Sequence, residues 1–170
     1  MRRMFVLGVV LTVGGLSLVI TASQQQDEMV VEVEQLEDNL FVLRGGGGNS
    51  AAFVTTDGVV LVDTKVPGWG QPLIDKRREL TSNPVTTIIN THTHFDHVSG
   101  NVDFPSTVEV VTHENTRRLM QEWNEISGLG FAGEDVFAAS NGQGIATRTF
   151  SDRMTLGLSL IHICRCRRAI

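Results

Sequence analysis

Thr91-His92-Thr93-His94-Phe95-Asp96-His97 packs three histidines and one aspartate into the six positions from His92 to His97. In an extended backbone residues two apart point the same way, so His92 and His94 project together toward a common point. That arrangement suits one metal ion. Asp96 and His97 follow where the chain changes direction, which can bring both into the same pocket but toward a neighbouring position, so a second metal is expected beside the first. Neutral imidazoles with a carboxylate suit zinc, which takes three protein ligands plus water when it is catalytic. A solvated, His-rich surface turn is the bland alternative. It would fit a single histidine better than this cluster at the end of a buried strand.

Upstream of the cluster, Val85 to Asn90 is β-branched and apolar and reads as an inner strand that leads directly into the histidines. Asn83-Pro84 ends the preceding segment, Pro72 to Leu80, a surface helix with Leu73, Arg77 and Leu80 on one face. Before it, Val59 to Val62 is a fully apolar run ending at Asp63, and Asp57-Gly58 turns it back on a strand from Ala51 to Thr55. Gly45 to Gly48 read as a flexible hairpin turn, since no Lys-Ser/Thr follows to make a phosphate cradle. Met29 to Val33 and Leu40 to Leu43 read as paired strands separated by the polar Glu34 to Asn39. Trp69 is expected half-buried, as most tryptophans are, rather than as a wall of the site.

Downstream, Gly100-Asn101 and Phe104-Pro105 break the chain before a strand from Thr107 to Val111. Thr112 is the expected cap of a helix running to about Ile126, with Leu119, Met120, Trp123 and Ile126 at helical spacing. Ser127 to Gly144 is Gly-rich, a long loop or a helix pair, and Thr147 to Leu156 opens a new strand or hairpin. His113, at the start of the helix, reads as a surface or capping residue rather than a ligand.

Of 170 residues, 41% are hydrophobic and 19% charged, the composition of one globular core. Arg2 and Arg3 precede an apolar run, Met4 to Ile20, and the small residues Thr21, Ala22 and Ser23. This is the layout of a secretory signal over residues 1–23, and a periplasmic or secreted location is expected. A membrane anchor is the competing reading of the run, which sits at the short limit for a spanning helix. Nine basic residues face 19 acidic ones within residues 24–157, a formal −10 for the body. That balance, without basic clusters, argues against nucleic acid, and against a membrane surface once the signal is cleaved. Cys164 and Cys166 are the only cysteines, so the body has neither a disulfide framework nor a thiolate ligand.

Gly58-Val59-Val60-Leu61-Val62-Asp63-Thr64, Pro84 to Asn90, and Thr91 to Asn101 with its His-x-His-x-Asp-His order together resemble the metallo-β-lactamase superfamily. The resemblance extends more weakly from about Val31 to about Leu156. It implies an α+β architecture, the αββα sandwich with metals at the sheet edges, here with only its N-terminal half present as a truncated domain over 24–157. By motif position it implies that His92 and His94 bind a first zinc, that Asp96 and His97 bind a second, and that Asp63 supports the site from behind. With His97 present, the chain looks closer to the glyoxalase II and His-type lactamase branches than to those whose second site uses a cysteine. The implied activity is hydrolysis of a small-molecule substrate, a β-lactam, thioester, lactone or ester, in which hydroxide made available by two zinc ions attacks a carbonyl. Asp96 is the candidate catalytic residue, orienting that hydroxide.

The family completes its site with further ligands from the C-terminal half, and no convincing counterpart follows here. His162 is the only histidine after His113, and Leu158 to Ile170 does not resemble the expected segment. CTG TCT CTT ATA CAC ATC, the mosaic end of a transposase-based sequencing adaptor, translates as Leu-Ser-Leu-Ile-His-Ile, so residues 158–170 read as an artefactual tail that interrupts the frame near Gly157. A short Cys-x-Cys and His metal tail, or a basic patch, is the competing reading. Two functional expectations follow: a zinc hydrolase recorded by its first half, or a non-catalytic fragment that binds zinc weakly or does not fold stably.

Overall fold

The structure, a computed structural model, describes residues 29–122 and 134–157. Seven strands form one sheet in chain order: β1 (Glu32–Glu37), β2 (Leu40–Arg44), β3 (Ser50–Val54), β4 (Val59–Val62), β5 (Val85–Ile89), β6 (Glu109–His113) and β7 (Arg148–Phe150). From β1 to β4 neighbours are antiparallel, and from β4 to β7 they are parallel. Connection length explains the change. Turns such as Asp38-Asn39 reverse the chain at once, whereas parallel strands require a crossover. The crossovers carry α1 (Gly70–Leu80), α2 (Phe95–Val98) with a 3-10 turn over Ser99–Asp103, and α3 (Glu114–Gln121) followed by α4 (Val136–Ala139). This is the α+β class expected. A second sheet that would complete a sandwich is not among the described residues.

β4 lies inside the sheet, and Val59, Val60 and Leu61 are at most 1% exposed, as an apolar run covered on both faces should be. Leu73 of α1, Ile88 of β5, Val98 of α2 and Met120 of α3 join the same core. α1 lacks a cap from Trp69. Instead Gly70 N–H donates to Asp103 Oδ2 at 2.8 Å, so the 3-10 turn supplies the acceptor that the helix start needs.

Three expectations are corrected. β1 runs from Glu32 to Glu37, not Met29 to Val33, so most of the presumed polar connection is strand and only Asp38-Asn39 turns. Every residue of β1 is exposed, so backbone pairing with β2 and the Arg44–Glu34 ion pair sustain it, and apolarity is no guide to its bounds. β6 starts at Glu109 rather than Thr107. α3 is capped by His113, whose side chain accepts from Asn115 N–H, while Thr112 remains in β6, fully buried, its hydroxyl donating to Asn90 O at 3.0 Å. His113 Nε2 donates to Ser151 O at 2.8 Å, so both ring nitrogens serve the fold, as its capping role anticipated. Trp123, Ile126, the signal segment 1–23 and the tail 158–170 with His162, Cys164 and Cys166 lie outside the described residues.

Candidate metal centre

Because β4 and β5 are parallel neighbours, their carboxyl ends deliver Asp63 and the Asn90–His92 segment to the same edge of the sheet, where open α/β sheets bind ligands. Asp63 and Lys65 both adopt left-handed backbone (φ 58° and 70°), folding the chain sharply around Thr64. Asp63 is 4% exposed and its carboxylate reaches across to the segment that follows β5. Oδ1 accepts from Thr91 N–H at 2.8 Å, and Oδ2 accepts from the Thr91 hydroxyl at 2.6 Å. Oδ2 also lies 2.7 Å from His97 Nδ1. A carboxylate has only lone pairs to offer, so Nδ1 of His97 is the donor, and in the neutral ring Nε2 carries the lone pair.

Extended backbone ends at His94, the residue before α2 (φ −60°, ψ 142°), so Asp96 and His97 sit on the helical turn and swing back toward His92. The ring centroid of His92 lies 4.5 Å from that of His94 and 4.1 Å from that of His97. His97 Nε2 is 3.5 Å from Asp96 Oδ2. Ligand-capable atoms of Asp63, His92 and His97 fall within 4.8 Å of one another, a group able to hold a metal ion. All five residues singled out in the sequence therefore meet. The tightest grouping is not the implied pairing of His92 with His94 and Asp96 with His97: His94 is exposed and, with Asp96, flanks the trio.

Thr91 Oγ1 lies 2.9 Å from His92 Nδ1. The hydrogen bond to Asp63 raises the His97 pKa above the ordinary imidazole value, outweighing burial. Burial, then the neighbouring rings of His97 and His94, lower that of His92. A more basic Nε2 on His97 is a better donor to a metal.

Several supporting residues escaped sequence reasoning. Lys65 is fully buried, its Nζ donating to Leu43 O at 2.8 Å and Gly48 O at 2.7 Å, and burial lowers its pKa to about 8. It ties the Gly45–Gly48 loop down onto the site. A Cβ on Gly47 would sit 2.9 Å from Asp96 Cβ, and one on Gly48 would sit 2.8 Å from the His97 ring, so side chains are excluded where the loop meets the cluster. Trp69, partly buried, packs its ring on the same loop at Gly45 and Gly46. Behind the cluster, Asn101 Nδ2 donates to Asn90 Oδ1 (2.8 Å) and Gly144 O (2.9 Å), and Thr64 Oγ1 donates to Asn101 Oδ1 (2.7 Å). Thr64, Asn90 and Asn101 are at most 3% exposed, and the satisfied network pins the loops after β4 and β5 together. The unusual Asp63-Thr64-Lys65 step at a strand end was the available signal. What it touches depends on partners tens of residues away.

A mixed sheet whose parallel strands bring a buried carboxylate and a histidine cluster to one edge defines an α+β domain with a group of side chains able to hold a metal ion at that edge. The chain belongs to the metallo-beta-lactamase superfamily, whose family model matches residues 43–162. Among solved structures, DIM-1 metallo-beta-lactamase is similar at TM-score 0.53 and 17% identity, over 75% of this chain and 54% of that one. A metallo-beta-lactamase with a HARLDQ motif from Cronobacter sakazakii matches at TM-score 0.48 and 15% identity, over 54% of this chain and 37% of that one. The chain thus spans about half, or less, of the length of these two structures, and the likeness to DIM-1 is one of fold. No curated protein matches the chain.

Proposed function

We propose that the parent protein is a zinc-dependent hydrolase acting on a carbonyl-bearing small molecule, a β-lactam, thioester, lactone or ester. The observation that carries the reading is the His97 ring, fixed through Nδ1 by buried Asp63 so that Nε2 faces the cluster containing His92, His94 and Asp96. The donor set, imidazole nitrogens and a carboxylate with no thiolate, fits zinc. In this reading His92 and His94 hold one ion, Asp96 and His97 a second in the complete domain, and Asp63 positions the rings. Zinc bound there supplies Lewis acidity and shifts the ionisation of water toward neutral pH. Asp96, partly exposed, is in this reading the carboxylate that orients the attacking water and holds its proton. The Gly45–Gly48 loop, held by Lys65, closes one side of the site.

A second reading, a zinc-binding but non-catalytic piece, is favoured by the 54% of the DIM-1 chain that is matched. Metal analysis of the purified chain, with a hydrolysis panel of the four substrate classes, decides between them. Zinc retention with turnover supports the enzyme, and zinc retention without turnover supports the second reading. Absence of zinc uptake, unaffected by alanine at His92, His94, Asp96 and His97, overturns both. We also propose that residues 1–23 direct export to the periplasm or beyond, consistent with Arg2-Arg3 and the apolar run after them. Terminal sequencing of the exported protein should begin near Ser23, and an intact Met1 would refute it.

A further inference from the structure

We infer that Thr91 is a positioning residue that decides which nitrogen of His92 is bare. The number of protons available fixes the assignment, whose consequence for metal rests on the reading above that His92 binds one. A threonine hydroxyl has one proton and two lone pairs. Asp63 Oδ2, at 2.6 Å from Thr91 Oγ1, can only accept, so the hydroxyl proton points there. Only lone pairs remain to face His92 Nδ1, 2.9 Å away on the other side. Nδ1 of His92 therefore carries the hydrogen and donates it to Thr91, and Nε2 presents a lone pair. The reverse assignment would set two lone pairs against each other at 2.6 Å.

Asp63 already fixes His97 in the same sense, by direct contact at Nδ1. One buried carboxylate thus sets both rings, the first directly and the second through a hydroxyl, and both present Nε2 to the same space. Neutral imidazole free in water prefers its hydrogen on Nε2, the nitrogen needed for the metal. Thr91 reverses that preference before any ion arrives, so less free energy is lost on binding. Its main chain is anchored independently, through N–H to Asp63 Oδ1, so the side chain can be altered without releasing the strand end.

Tautomers read directly from long-range ¹H–¹⁵N correlation spectra of the metal-free chain, at a pH where the rings are neutral, test this. In the native chain and in Thr91→Ser, His92 should carry its hydrogen on Nδ1; in Thr91→Val, which keeps the branched shape, it should move to Nε2. Zinc affinity by chelator competition should fall roughly 10- to 100-fold in Thr91→Val and recover in Thr91→Ser. An Nε2–H tautomer in the native chain, or a His92 tautomer unmoved in Thr91→Val, would overturn the proposal. A native chain that shows Nδ1–H on His92 yet takes up no zinc would instead sink the metal reading and leave the tautomer assignment standing.

Discussion

Asp63 accepts three hydrogen bonds, two of them at Oδ2, and no neutral side chain of the same shape can do so. In Asp63→Asn one of the two positions becomes a donor and opposes either Thr91 or His97. Since the hydrogen bond to Asp63 is the leading cause of the raised His97 pKa, NMR titration of the metal-free variant should show it moving down toward 6.5. The sign for stability follows. A raised folded pKa contributes stability that is fully present below about 6.5 and fades as pH climbs through the folded value, so this pH dependence should disappear from melting curves of the variant. Lys65 has the opposite sign. Burial holds it at about 8 against 10.5, so between these values the unfolded chain binds a proton that the folded chain has lost, and its contribution to stability rises with pH. Lys65→Met should flatten that rise and leave two carbonyls without their donor, costing roughly 1–3 kcal/mol in urea unfolding near pH 7. The four residues from His92 to His97 were legible because their chemistry is concentrated in one turn, and Asp63 through its place at a strand end. Lys65 and Thr91 were not, because their roles are set by contacts to Gly48, Leu43 and Asp63, 17 to 28 positions away.

At the level of elements, the strands of the sheet interior could be read from apolar runs bounded by turn residues, and β4, β5 and α1 fall within a residue or two of expectation. Misplacements occurred where burial does not dictate structure. β1 pairs by its backbone along an exposed edge, and the start of α3 was decided by which of two adjacent side chains turned outward, Thr112 going into the core and His113 to the cap. The Gly45–Gly48 loop was legible as a turn but not as a lid on the cluster, because the reason for its glycines lies in Asp96, His97 and Trp69 rather than in the loop itself. Gly48 has ordinary backbone geometry, so an alanine there strains contacts and not dihedrals. Gly48→Ala should push the His97 ring aside and weaken zinc binding roughly tenfold, in line with other changes that misorient a ligand. Chelator competition measures the loss, and an unchanged melting temperature in the metal-free state shows that the fold survives.

For the molecule as a whole, the α+β class was foreseen, and the family membership agrees with the resemblance carried by residues 58 to 101. Metal binding to the folded chain alone must shift its unfolding equilibrium. At free zinc about 100 times the dissociation constant the gain is about 2.7 kcal/mol, so zinc should raise the melting temperature by several degrees and a chelator should reverse it. Replacing His92 and His97 together should abolish the shift. The order of strands has one further consequence. Each strand, in order of synthesis, docks on the one before it, so assembly can advance as growth along a single front, with no newcomer obliged to wedge between two predecessors. The first three additions close over tight turns at little entropic cost and the last three wait on their crossovers, so a polypeptide delivered end-first can build its sheet in the order it arrives.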